Sequence, residues 1–290
     1  MIECSLDIKQ LSEVAITGLI TALCHAIESR SEEPILHDPK AEAVADRLVP
    51  LLKLAPDALL RLLTQGTMFG LCDMMIAGIA LRARKYDECA RNFAAGNKGS
   101  GIINLGCGLD TRFWRIDDGC QHFYDLDLPE IISLKKQLAD DESDRYHMIG
   151  TSVLDYQWMD QLADEKLMPC LFLAEGLFMY LPPDEVRRLL IELQERFPGS
   201  ELLCDVAPLW LISPAAQLIS KVKGWSAQYQ FGVRHSREFE EWDSGLHFID
   251  EWFYLDEDEP RLGFLRAMYK WKLILRDIWT VHYMLGSKRS

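Results

Sequence analysis

No two cysteines of this chain stand at the C-x-x-C spacing of a zinc site or a redox motif, although eight are present, at positions 4, 24, 72, 89, 107, 120, 170 and 204. Several lie inside apolar runs, where a free thiol behaves as a small hydrophobe. The chain is therefore expected to keep reduced thiols and to be cytoplasmic. A membrane span is missing as well. No uninterrupted apolar run approaches the ~20 residues that cross a bilayer, and the longest candidate, Leu171 to Leu181, carries Glu175 at its centre. The first residues, Met1-Ile2-Glu3-Cys4-Ser5-Leu6-Asp7, are acidic where a secretory leader would be basic. Positive charge is scarce: 31 Lys and Arg against 45 Asp and Glu leave a formal net charge of −14. Phosphate binding needs clustered Lys and Arg, so this balance argues against a nucleic-acid partner.

What is present is an ordinary globular composition, 49% hydrophobic and 26% charged over 290 residues, enough for one large α/β domain. Residues 1–99 read as a helical N-terminal extension. Apolar residues recur at helical spacing over Leu11–Ile27, Ala41–Leu52 and Met74–Phe93, with breaks at Glu33-Pro34 and Asp38-Pro39. From residue 100 the texture changes to strand, turn, helix. Strands are predicted at Gly101–Gly106, His122–Leu128, Tyr146–Val153, Cys170–Gly176 and Glu201–Ala207, with helices over Leu128–Asp140 and Pro183–Phe197. Continuous apolar strands alternating with helices imply a parallel sheet covered on both faces, here over residues 100–207. Residues 208–245 break the rhythm and read as a lid insertion. Residues 246–290 supply two late strands, Leu246–Leu255 and Thr280–Leu285, to complete the sheet.

The first predicted strand runs straight into Gly106-Cys107-Gly108-Leu109-Asp110-Thr111-Arg112. Two glycines there let a ligand approach the backbone. The third glycine of the dinucleotide fingerprint would fall at Thr111 and is absent, which counts against NAD. Asp110 places negative charge near the position where a pyrophosphate would sit, and a cofactor without phosphates tolerates that better. Asp127 ends the second strand about 20 residues on, where an acid accepts hydrogen bonds from ribose hydroxyls. Asp125 alternates with it on the same face and is the other choice. Asp155, after the third strand, suits the exocyclic amine of adenine with Tyr156 against the ring; its structural alternative is a helix cap. Glu175 lies in an apolar run, where a carboxylate is costly unless paired. It falls at the carboxyl end of strand four, beside the crevice where open α/β sheets bind ligands.

Together these segments resemble the leucine carboxyl methyltransferase family, in a bacterial branch linked to polyketide synthesis. The matching blocks are Asp38-Pro39-Lys40-Ala41, Arg84-Lys85-Tyr86-Asp87, Asn104 to Arg112, Asp125-Leu126-Asp127-Leu128-Pro129 and Ala174-Glu175-Gly176-Leu177-Phe178-Met179-Tyr180-Leu181. The resemblance implies a class I methyltransferase, a mostly parallel seven-stranded Rossmann-like sheet with one antiparallel hairpin strand at the edge. It implies S-adenosyl-L-methionine as the methyl donor. It also implies that Arg84 holds the methionine carboxylate, that Gly106 lies under the methionine end, and that Glu175 lies near the methionine portion.

The reading is thus an O-methyltransferase that forms a methyl ester on a small-molecule carboxylate such as a polyketide acid. An ionised carboxylate needs no general base, whereas a phenol acceptor, with a pKa of ~10, wants one. His235 and His247 are candidates near the lid, each with a structural alternative. Tyr180 and Arg112 are candidate orienting residues; core packing and a salt bridge to Asp110 are their alternatives. Trp225, Tyr229, Phe231 and Trp242 suit a flat acceptor or simply pack the lid, and Lys221, Lys223 and Arg234 add positive charge there. The competing readings are a phenol O-methyltransferase, a catalytically inert methyltransferase-like binding protein and an NAD-dependent oxidoreductase.

Overall fold

A computed structural model describes residues 13–52, 71–139, 143–165, 167–213, 229–271 and 277–286. Three helices come first, α1 (Glu13–Ser29), α2 (Pro39–Leu52) and α3 (Leu71–Gly96). The break between α1 and α2 falls where the prolines put it. Asp38 caps α2 by accepting from the Ala41 N–H at 2.9 Å, and Pro39 fills the first helical position.

The alternating core follows: β1 (Gly101–Leu105), α4 (Arg112–Ile116), β2 (His122–Asp127), α5 (Pro129–Ala139), β3 (Tyr146–Gly150), α6 (Gln157–Asp164), β4 (Cys170–Ala174), α7 (Pro183–Arg196) and β5 (Glu201–Val206). Beyond it lie β6 (Leu246–Trp252), α8 (Gly263–Lys270) and β7 (Trp279–Leu285). The seven strands order β3-β2-β1-β4-β5-β7-β6. The first five strands are mutually parallel, and β7 is antiparallel to both its neighbours.

The reversed strand does not form the edge that the family resemblance implied. β7 inserts between β5 and β6, and β6 is outermost. Burial explains the order. β7 is covered on both faces along most of its length, whereas β6 exposes Ile249, Asp250 and Glu251. Two carboxylates and a register shift between Phe248 and Asp250 are features that discourage edge-to-edge pairing.

The central strands β1 and β4 are buried at every residue, as their continuous apolar runs require. Alternate residues face opposite layers. Ile103, Leu105 and Phe172 pack with Trp158, Met159 and Leu162 of α6 and with Val186, Leu189 and Leu193 of α7. Ile102, Leu171 and Leu173 pack with Tyr86, Ala90 and Phe93 of α3. Each such side chain contributes roughly 1.5–3 kcal/mol by burial. Helices α1 and α2 join through Leu19, Leu23, Val44 and Leu48 and rest on Leu134 and Leu138 of α5. Among the described residues the cysteines are free thiols, and no helix is long and apolar enough to cross a membrane.

Candidate active site

The crevice lies past the carboxyl ends of the parallel strands, where the sheet order turns between β1 and β4. At the end of β1 the chain enters the left-handed region at Gly106 (φ +66°) and again at Gly108 (φ +51°). The loop is pinned to β2: the N–H groups of Gly106 and Cys107 both donate to the Leu126 carbonyl, at 2.8 and 3.1 Å. It is also pressed against the segment after β4, because a Cβ on Gly106 would stand 2.8 Å from Leu177 Cδ1. From above, Gly18 of α1 approaches Gly108 closely; a Cβ on Gly18 would lie 3.6 Å from the Gly108 Cα.

Asp127 and Asp125 part company here. Asp125 takes the ammonium of Lys135 and the hydroxyl of Tyr146, each at 2.5 Å, and so is consumed beneath α5. Asp127 stands at the strand tip beside the loop. One carboxylate oxygen accepts from the Gly108 N–H and the other from the Leu128 N–H, both at 2.7 Å. Burial pushes this carboxyl up, against the pull of those two donors.

At the tips of β4 and β5 a buried ionic cluster forms. Arg82 of α3 donates through Nε to Glu175 at 2.9 Å and places Nη1 3.3 Å from Asp205. Asp205, the penultimate residue of β5, also accepts from Tyr86 Oη (3.1 Å), Thr280 Oγ1 (2.9 Å) and the Gly176 N–H (2.8 Å). Arg112 reaches Glu175 at 2.7 Å and Asp87 at 2.8 Å, and it also pairs with Asp110. Arg115 ties Asp87 (2.7 Å) to Asp38 (2.6 Å) and Asp110 (3.2 Å). Five carboxylates, Asp38, Asp87, Asp110, Glu175 and Asp205, thus surround three guanidiniums. Burial would raise the Glu175 carboxyl, but Arg82 and Arg112 outweigh it and hold the group below its ordinary value. For Asp205 burial prevails over Arg82, and the carboxyl is raised. The surplus of negative charge makes the cluster a better host for a cation than for a phosphate.

Several expectations change in this frame. Arg84 is not brought to the cluster. It pairs with Glu257 at 3.1 Å and is partly exposed. Residues two apart on a helix face opposite sides, so α3 turns Arg82 inward and Arg84 out. Arg112 is buried and fully engaged in ion pairs, which is the structural alternative to an orienting role. Asp110 does not present the bare charge that its position suggested, since Arg112 and Arg115 hold it and it accepts from Asn104 Nδ2 at 2.9 Å. Asp155 is exposed and accepts from the Gln157 N–H and the Thr151 hydroxyl, both at 3.4 Å, one residue ahead of Tyr156, which occupies the cap position of α6. Tyr156 packs its ring on the main core, and its hydroxyl is buried without a hydrogen-bond partner.

Tyr180 closes a 3₁₀ turn after β4. Burial raises its phenol, while Thr17 of α1 and Tyr229 hydrogen-bond to it. Its ring lies 5.5 Å from that of Tyr229. The aromatics of residues 208–245 divide: Phe231 and Trp242 pack with Phe239, Tyr229 packs on Tyr180, and Trp225 lies outside the described residues. Lys221 and Lys223 also lie outside them, Arg234 pairs with Glu238 and Glu241 on the surface, and His235 contacts Glu241 at 3.2 Å. His247 sits in edge strand β6, paired in register with Met284.

Arg82 and Asp205 are the residues that sequence reasoning missed. Both were accessible to it. Asp205 is a carboxylate in the apolar run Leu202 to Val206, the same signal that singled out Glu175. Arg82 shares a helical face with Gly78 and Tyr86, four residues to either side.

A mostly parallel seven-stranded sheet with β7 reversed, a glycine turn after β1 and acids at the tips of β2 and β4 define a class I methyltransferase. The fold matches a candidate methyltransferase from Thermobifida fusca (TM-score 0.53, 16% identity, 84% of this chain and 94% of that one). It also matches a DUF574 family protein from Streptomyces avermitilis (TM-score 0.52, 12% identity, 91% and 96%). The family model for leucine carboxyl methyltransferase matches residues 18–194. The tetracenomycin polyketide synthesis O-methyltransferase TcmP of Streptomyces glaucescens is 30% identical over 263 residues, 90% of each chain. The S-adenosyl-L-methionine-dependent methyltransferase dpfgK of Gibberella zeae is 26% identical over 299 residues, 95% of each. The chain belongs to the leucine carboxyl methyltransferase family.

Proposed function

We propose that the protein is an S-adenosyl-L-methionine-dependent O-methyltransferase whose acceptor is a small apolar molecule bearing a carboxylate or phenolic oxygen. The observation that carries this reading is the cluster of five carboxylates around Arg82, Arg112 and Arg115, with Glu175 and Asp205 among them, set with the Gly106–Gly108 turn and Asp127 at the strand tips. The donor fits these residues. Two positive-φ glycines leave room for it over β1. Asp127 offers carboxylate oxygens to its ribose, and Asp155 one to its adenine amine. Arg82, whose Nη2 is bonded to none of the described residues, takes the methionine carboxylate in place of Arg84. Glu175 offers negative charge toward the amino group. When bound, the donor supplies a methyl on a positively charged sulfur; that carbon–sulfur bond breaks as the acceptor oxygen bonds the carbon, and the electron pair stays on sulfur.

The chain's own task is to hold the acceptor in line and to exclude water. Tyr180 and Tyr229 stand beside the cluster as the surface on which a flat acceptor rests. A polyketide acceptor is supported by the name of the Streptomyces relative, and the net charge of −14 favours a small molecule over nucleic acid.

Calorimetry with S-adenosylmethionine, its demethylated product and NAD tests the reading. Both sulfur nucleosides are expected to bind and NAD to fail. Absence of binding by either nucleoside overturns it. Transfer of labelled methyl across a panel of acids and phenols, read by mass spectrometry, then separates base-labile esters from base-stable ethers.

A further inference from the structure

The reversed strand β7 brings a hydroxyl to the strand-tip cluster. Thr280 stands opposite Asp205 in the β5–β7 register and donates through Oγ1 to Asp205 Oδ1 at 2.9 Å. Tyr86 of α3 donates to the same oxygen at 3.1 Å. The other oxygen, Oδ2, accepts from the Gly176 N–H at 2.8 Å and faces Arg82 Nη1 at 3.3 Å. Asp205, Tyr86 and Thr280 are all buried. With both oxygens engaged and none of its surface exposed, Asp205 acts on a ligand only through its neighbours.

Its neutral partners leave its charge to one cation. Among the described residues Arg82 is the only guanidinium that pairs with Asp205, whereas Glu175 is shared between Arg82 and Arg112. Burial disfavours the Arg82 charge, and Glu175 and Asp205 outweigh it. The two carboxylates also fix where that charge points. Glu175 takes Nε and Asp205 faces Nη1, so the planar fork is anchored at two of its three nitrogens. Gly176 adds a further constraint. It turns through the left-handed region at φ +68°, and a Cβ there would stand 3.7 Å from Arg82 Nη1, so the turn that carries Glu175 lies against the guanidinium that Glu175 holds. The same Oδ2 that faces Arg82 pins this turn through the Gly176 N–H.

Resting on the reading of this cluster as the donor site, we infer that Asp205 is a positioning residue for donor binding: held by Thr280 and Tyr86, it locks the Arg82 guanidinium with Nη2 presented to the methionine carboxylate. A long side chain left free loses rotamer freedom when it grips a ligand, and one already locked loses little. The charge facing Nη1 also keeps the guanidinium from swinging wholly onto Glu175. The insertion of β7 between β5 and β6 acquires a role from this. It sets Thr280 directly against Asp205, which β6, one strand further out, does not pair with.

The test uses the full chain and calorimetry with two probes, the demethylated donor and 5′-methylthioadenosine, which keeps the nucleoside and has no amino-acid end. Asp205→Asn preserves the shape. Its amide oxygen accepts from Gly176 while its amide nitrogen donates to Thr280 and Tyr86, whose hydroxyls accept as well as donate. The charge facing Arg82 is what it removes. This variant should weaken the demethylated donor by about tenfold and 5′-methylthioadenosine by less than about twofold. In an Arg82→Gln background, Asp205→Asn should change affinity for the demethylated donor by less than about twofold, because the group it positions is gone. Thr280→Val, which keeps the carboxylate and removes one of its donors, should weaken the demethylated donor by about threefold, again only while Arg82 is present. Equal weakening of both probes, a loss that persists in full without Arg82, or no loss at all overturns the inference while leaving the methyltransferase reading intact; the first two would make Asp205 a clamp between β5, β7 and α3. Failure of the demethylated donor to bind the unmodified chain overturns that reading instead.

Discussion

Arg82 and Arg84 show how much a single residue's role depends on helical phase. Both are basic, both lie in one short block, and only the rotation of about 100° per residue tells them apart. Arg82 meets Glu175 and Asp205; Arg84 meets Glu257 near the surface. Arg82→Gln should therefore weaken binding of the demethylated donor by about 10–100-fold, the worth of a charge-assisted hydrogen bond, whereas Arg84→Gln should change it less than about twofold. Calorimetry on the two variants decides, and the reverse ranking would return the role to Arg84. Arg112 differs from both. Replacing it with Ala leaves the buried Glu175, Asp87 and Asp110 with one guanidinium fewer, Arg82 and Arg115 still holding them, so the loss should appear as about 3 kcal/mol of stability in urea unfolding. At this scale the sequence was legible for acids at strand ends, because a carboxylate in an apolar run is conspicuous. It was less so for the guanidiniums that answer them. Their partners lie far off in the chain, 93 residues away for Arg82 and Glu175, and no local pattern records the pairing.

Elements were easier to read than their neighbours. The spans of β1, β2, β4 and β5 agree with the sequence to within two residues because burial on both faces forces continuous apolar runs between turn residues. The order β5-β7-β6 was not legible in the same way. It depends on which of two late strands carries surface charge, a comparison between strands and not a property of either. The glycine turn after β1 is where element geometry meets the proposed donor site. Gly106 has a φ of +66°, and a Cβ there would meet the end of the Leu177 side chain at 2.8 Å. Leu177 is flexible enough to yield, so the cost of Gly106→Ala lies mainly in the backbone, roughly 1–2 kcal/mol for a left-handed residue. Thermal unfolding should register that loss. Donor affinity should fall with it, because the added methyl occupies the approach over β1; a variant as stable and as tight-binding as the parent would show that the turn tolerates a side chain.

The molecule as a whole is tied together by the same ions. Asp38, at the start of α2, accepts from Thr111 Oγ1 at 2.5 Å and Arg115 Nη1 at 2.6 Å, so the N-terminal helices are moored to the loop that follows β1. The family blocks around residues 38, 87, 110 and 175 are far apart in sequence and meet in this one network. Burial would raise the Asp38 carboxyl, but His25, Arg115 and Thr111 hold it down at about 2, against an ordinary value of 3.8. A carboxyl depressed in the folded state binds its proton more readily when unfolded. Its stabilisation is therefore complete above the unfolded value and disappears as pH falls from about 4 to about 2. The gap corresponds to about 2 kcal/mol. Asp205, raised in the fold, acts in the opposite sense by favouring the folded state as it gains its proton, so total stability alone would blur the effect. The difference between the parent and Asp38→Asn isolates it. Urea midpoints measured from pH 5 down to pH 2 should converge for the two proteins as the parent loses its advantage. A constant difference across that range would mean that Asp38 holds the helices to the sheet by shape and neutral hydrogen bonds, with its charge contributing nothing.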